Sequence, residues 1–255
     1  MRSNLLKGGL LAAVLALASS AQAAAPAKRA VELPPSADLA YELSAQQRGI
    51  GLKGDALITW RAGDGKYDVN VEARVQLLGK LTEYRSHGVI DSFGLAPEEF
   101  YEKRYRKDAT TTRFDRDGKT IALTEAKEPY AMKGGEQDRA SVTWQLASVA
   151  RAAGEARFKP GSEWSFVVAG RRDAEPWTFK VVKREKIQTA MGELDTLMVT
   201  RAPRSEGRNE GVDIWLAPDQ EWYPVKLRFR DNERETIEQT VTKITRVGWT
   251  PVSTR

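Results

Sequence analysis

Residues 67–77 read Tyr-Asp-Val-Asn-Val-Glu-Ala-Arg-Val-Gln-Leu, and this stretch decides the architecture. Tyr67, Val69, Val71, Ala73, Val75 and Leu77 alternate with Asp68, Asn70, Glu72, Arg74 and Gln76. A period of two puts every apolar side chain on one face of an extended chain and every polar one on the other. The same beat recurs at Leu39, Tyr41, Leu43 and Ala45, and at Ala56, Ile58 and Trp60. It returns at Trp164, Phe166 and Val168, at Trp177, Phe179 and Val181, and at Tyr223, Val225, Leu227 and Phe229.

Turn chemistry separates these runs, at Gly63-Asp64-Gly65, Asp115-Arg116-Asp117-Gly118 and Ala190-Met191-Gly192. Short Gly/Asp connections between alternating segments predict antiparallel hairpins in sequence order. One apolar face per strand predicts a sheet covered on one side only. The expected fold is therefore mainly β, a single strongly curved antiparallel meander forming a half-barrel or unclosed barrel.

One segment departs from the period. Val142, Leu146, Val149 and Ala153 follow helical spacing, so residues 138–153 are expected as one helix. Asp138 or Ser141 can cap its start, and Gly154 can close it with a positive φ. Its other side carries Ala140, Trp144 and Ala147, with Arg151 the main polar member. A helix apolar on both sides is covered on both sides, which places it on the concave face of the sheet.

The N-terminus reads as an export signal. Arg2 and Lys7 precede the apolar run Gly8–Ala18, and Ala21-Gln22-Ala23 offers a small-residue cleavage site. The run is shorter than the roughly 20 residues a spanning helix needs. The expectation is cleavage after Ala23 and a periplasmic protein with no later transmembrane segment. Residues 24–36 are expected as a flexible Ala/Pro-rich leader, and residues 37–250 as a single β domain. The sequence contains no cysteine, which excludes thiolate chemistry, disulfides and a lipid-bearing Cys. Losing Arg2 and Lys7 leaves 38 basic residues against 35 acidic, too even a balance for a nucleic-acid surface.

The ordered motifs Leu39-Ala40-Tyr41, Ser86-His87-Gly88, Gly94-Leu95-Ala96-Pro97 and Asp138-Arg139-Ala140-Ser141 with Gln145-Leu146 resemble the DUF3108 family of exported bacterial proteins. Thr189–Leu194, Ile214–Asp219 and Tyr223–Leu227 continue the resemblance, over about residues 36–248. It implies a curved, unclosed antiparallel sheet similar to the lipoprotein carriers of the Lol system. It implies no activity and no catalytic residues.

No constellation points to an enzyme, a cofactor or a metal. His87 is the sole histidine and reads as a surface residue, with no G-x-S-x-G elbow to serve. Glu98-Glu99 and Asp115 with Asp117 read as solvated, and Glu102–Lys107 as a solvated strand face with a headgroup contact as the rival reading. The inward positions Tyr41, Trp60, Val71, Trp144, Trp164, Phe166 and Phe179 exceed what one helix covers, and they form the expected ligand-binding set. The expected function is a non-enzymatic carrier of a lipid or acyl-chain ligand, or of a lipidated partner, with residues 126–137 and the helix as a movable cover. The alternative is a cell-envelope assembly factor acting through protein–protein contacts at a sheet edge. An outer-membrane barrel is disfavoured because its lumen would have to accept Asp68, Glu72 and Arg74 and its strand series would be broken by the helix.

Overall fold

In the computed structural model, residues 28–47, 50–76, 78–201, 211–232 and 235–248 are described. The proposed signal, residues 24–27, Leu77, Trp249 and the tail from Pro251 lie outside them.

The strands run β1 (Ala37–Gln47), β2 (Ile50–Gly63), β3 (Lys66–Val75), β4 (Gly79–Asp91), β5 (Gly94–Arg104), β6 (Thr110–Asp115), β7 (Thr120–Ala122), β8 (Tyr130–Ala131) and β9 (Gln137–Asp138). The α-helix α1 (Ser141–Arg157) follows. The chain then forms β10 (Glu163–Ala169), β11 (Ala174–Thr189), β12 (Gly192–Arg201), β13 (Gly211–Ala217), β14 (Tyr223–Asn232) and β15 (Glu235–Arg246). All fifteen belong to one sheet in the order β8-β7-β6-β5-β4-β3-β2-β1-β15-β14-β13-β12-β11-β10-β9. The sheet does not close, as the alternation predicts for a half-barrel.

Two features go beyond a plain meander. First, β1 pairs with β15, so both ends of the fold lie in the middle of the sheet and its free edges are mid-chain. Second, β9 and β10 are parallel, Val168 opposite Gln137 and Ala169 opposite Asp138. A parallel pair needs a crossover of a dozen or more residues, and α1 supplies it. The expected run of purely antiparallel hairpins therefore contains one β-α-β crossover.

Register converts the alternation into rows across the concave face. One row runs Ala37, Trp60, Val69, Ser86, Phe100, Thr112. The next runs Leu39, Ile58, Val71, Tyr84, Glu102, Thr110. The third runs Tyr41, Ala56, Ala73, Thr82, Arg104. Each is apolar on β1–β3; the second and third turn polar by β5, at Glu102 and Arg104, while the first keeps Phe100 there. Strands β4 and β5 meet so closely at the bulge beside Gly88 that a Cβ there would stand 2.2 Å from the Ala96 carbonyl oxygen. Only glycine fits that approach.

The helix fills the concavity. Every residue from Ser141 to Ala150 except Thr143 is buried. Trp144 stacks on Trp60 with ring centroids 4.4 Å apart and planes 5° apart, and meets Tyr223 edge-on at 6.2 Å. Gly154 has the positive φ expected of it (61°), yet the chain adds another turn to Arg157 before leaving the helix. Phe158 then packs on Trp164 and Trp222.

The opposite side of the helix is covered by residues 28–36, the segment expected to have little order of its own. The Glu32 N–H donates to the Ser148 carbonyl at 3.1 Å, and Arg151 pairs with Glu32 at 2.9 Å. Trp60 Nε1 donates to the Pro34 carbonyl (2.9 Å) and the Tyr223 hydroxyl to that of Pro35 (2.8 Å). This strap spans the mouth of the half-barrel. Lys28 lies 5.4 Å from the Phe93 ring at the β4–β5 turn, while Arg29 reaches Ser165 on β10.

Candidate functional site: the concave face and its seam

The seven residues expected to line a ligand seat are all placed inside, but they do not surround one shared space. Trp60 and Trp144 stack on each other. Tyr41 is buried, and its hydroxyl donates to the Pro224 carbonyl at 2.7 Å; burial raises its pKa. Val71 is half-buried between Ile58 and Tyr84 in its row. Trp164, Phe166 and Phe179 form a second aromatic group with Phe158 and Trp177, and the Arg29 guanidinium lies 5.5 Å from the rings of both Trp164 and Phe166. The concave face they line is filled by the protein's own helix. A depression of about 290 Å³ instead opens where the outward residues Leu57, Thr59, Asn70, Glu72, Glu83 and Arg85 meet, touching Val71 and Tyr84.

The two arms of the sheet are joined across the opening mainly by side chains. Beyond its pairing with β6, β5 has an unpaired edge at Leu95, and two glutamines satisfy it. Gln145 Oε1 accepts from the Leu95 N–H at 2.8 Å while its Nε2 donates to the Phe93 carbonyl at 2.7 Å. Gln137 Nε2 donates to the Leu95 carbonyl at 2.6 Å. An amide side chain offers the same donor and acceptor as a peptide group, so Gln145 stands in for a neighbouring strand. Farther out, the Glu125 N–H donates to the Arg171 carbonyl at 2.9 Å, and its carboxylate pairs with Arg171 and Arg172.

Asp138 anchors the start of the helix. Its Oδ1 accepts from the N–H groups of Ala140 and Ser141, both at 2.8 Å, and its Oδ2 accepts from Ser86 Oγ at 2.5 Å. Tyr67 extends the chain to Ser86 at 3.0 Å. Desolvation outweighs these hydrogen bonds and pushes the Asp138 carboxyl up to about 6.

The stretch Glu102–Lys107 differs from the solvated face expected of it. Phe100, Glu102 and Arg104 share the inward parity of β5, and Glu102 is only 1% exposed. Its carboxylate pairs with Arg104 and lies 3.9 Å from Arg139. Phe100 was the signal that could have oriented this strand, because it fixes which parity faces the core. His87 is exposed, and so are Glu98, Asp115 and Asp117, as their surroundings in the sequence imply.

No curated protein matches the chain. Among solved structures, an exported protein of YmcC-like fold from Bacteroides fragilis is similar over 84% of this chain and 99% of its own, at 10% identity and a TM-score of 0.37. A lipoprotein from Parabacteroides distasonis is similar over 85% and 99%, at 11% identity and a TM-score of 0.37. MucB is similar over 89% of this chain at 13% identity and a TM-score of 0.30, and the chain spans 57% of MucB's length. Likenesses this distant carry no functional argument. The family model described as a protein of unknown function (DUF3108) matches residues 40–237, and the chain belongs to that family.

Proposed function

We propose that the protein is an extracytoplasmic, non-enzymatic carrier of an apolar ligand, seen here closed, with α1 occupying the seat that a lipid or acyl chain takes. The observation that carries this reading is the way the helix is mounted. It lies between the apolar part of the concave sheet face and the strap 28–36. Glycines with positive φ stand at both ends, Gly134 and Gly135 before it, Gly154 in its last turn and Gly161 after it. Such residues take up large backbone changes at low cost, as hinges must. A helix joined to the sheet by side chains can leave as a unit, and an acyl chain regains the lost burial at about 0.8 kcal/mol per CH₂.

The export reading rests on the N-terminal pattern, and none of the helices among the described residues is long and apolar enough to cross a membrane. The assembly-factor alternative finds less support. Both free edges of the sheet, β8 and β9, are two-residue strands, and short edges resist strand addition.

The test is binding of an environment-sensitive acyl probe followed by tryptophan emission. Micromolar or tighter binding that separates Trp144 from Trp60 is the expected result, with loss of binding in Phe166→Asp at retained fold. Absence of probe binding, or binding that Phe166→Asp leaves unchanged, overturns the carrier reading.

A further inference from the structure

We infer that the ligand is a single-chain anionic amphiphile whose acid headgroup is held by Arg104 and Arg139 at the seam. This rests on the carrier reading above and names the chemistry of that same seat. Three observations lead to it.

The first is the polarity gradient along the concave rows. Leu39, Ile58 and Val71 lead through Tyr84 to Glu102, and the neighbouring row leads from Tyr41 and Ala56 to Arg104. A chain lying along either row has apolar walls at one end and guanidinium groups at the other. The second is a loose pairing. Glu102 pairs with Arg104 but contacts Arg139 only at 3.9 Å, and the Asp173 carboxylate stands with Arg139 beside Gly170. The Arg139 Nε is buried and has no hydrogen-bond partner among the described residues, and neither has the Oε1 of the fully buried Gln137 beside it. Buried polar atoms are normally satisfied, so an unmade Arg N–H favours a rearrangement that brings it an acceptor. The third is access. Glu102 is sealed, yet the Arg104 and Arg139 side chains are 38% and 26% exposed, so solvent reaches both of them. A planar guanidinium pairs with carboxylate or phosphate oxygens two at a time.

Arg139 is also placed to couple headgroup and helix. It follows Asp138, which anchors the helix start, and lies against Gly170 at the end of β10, where an added Cβ would stand 3.3 Å from Arg139 Nη2. An acid bound there draws on the link between the two arms of the sheet.

Competition of palmitate, hexadecyl phosphate and hexadecanol against an acyl probe, on the purified full chain, tests the inference. Both acids are expected to bind about tenfold or more tighter than the alcohol, the worth of one charged hydrogen bond. Arg139→Gln is expected to erase that preference. Glu102→Gln, which removes the competing carboxylate, is expected to widen it. Whichever acid binds tighter names the headgroup. Equal binding of all three ligands, or a preference that survives Arg139→Gln, overturns the headgroup inference and leaves the carrier reading standing. Binding of none overturns both. Should Arg139→Gln fail to fold, Glu102→Gln decides: an unwidened preference overturns the inference.

Discussion

The back of the half-barrel and its seam close the same space by different means. At the back, β1 pairs with β2 and β15 along its whole length, and the rows Ala37–Trp60 and Leu39–Ile58 are apolar. Main-chain ladders there leave nothing to rearrange. At the seam, Gln137 and Gln145, Asp138 with Ser86, and the Glu102 and Glu125 ion pairs do the joining. A ladder opens only by unfolding, whereas a handful of side-chain contacts can exchange with water. The difference locates any opening movement at the seam.

The largest expected effect belongs to the helix anchor at the back. Trp144→Ala removes a buried indole from its stack on Trp60 and is expected to cost about 3–5 kcal/mol in denaturant unfolding. A loss below about 0.5 kcal/mol, typical of surface sites, would mean that the helix is not held by this packing.

A pH titration probes the seam directly. The folded pKa of Asp138, about 6, lies above the ordinary 3.8, so the folded state binds the proton more tightly. Stability from this group is therefore full below about pH 4, falls as pH rises through 6, and is flat above 7. The drop is expected to be about 2–3 kcal/mol. Asp138→Asn should flatten the profile between pH 4 and 6. Equal slopes in the two proteins would remove Asp138 from the account.

Gln145→Leu keeps the bulk but strips the Leu95 N–H and Phe93 carbonyl of their partners, at an expected cost of about 1–3 kcal/mol. Hydrogen exchange at the Leu95 amide should accelerate far more than at Ile58 on the back. Matching changes at the two sites would erase the distinction between seam and ladder. The smallest effect is expected at His87, exposed on the outer face, where His87→Ala should stay within about 0.5 kcal/mol by thermal or chemical melts.

Much of the back is legible in the sequence, because period two at Tyr67–Val75 and its repeats states which side chains face inward. Helical spacing at Val142–Val149 likewise gives the plug, and the apolar Trp144 side correctly implies a second cover. What covers it is not legible. Residues 28–36 show no period, and they are ordered by contacts to Ser148, Trp60 and Tyr223 that lie far away in the chain. The seam is hidden for a related reason. Alternation separates Glu102 and Arg104 from Tyr101 and Lys103, but charge on both faces leaves the inward one undecided until Phe100 is seen in the core. Gln145 reads as one polar residue on an apolar helix, and only the unpaired edge of β5 gives it work.

The pairing of β1 with β15 sets Ala37 opposite Arg246. The central ladder thus cannot form until almost the entire polypeptide has been made. This pairing closes a loop of about 200 residues, and its loop-closure entropy must be met before the contacts reward it. Folding is expected to be slow and late, with early hairpins such as β2–β3 lacking their central partner. A nascent chain of this kind carries two half-sheets without a shared centre until its last strand arrives.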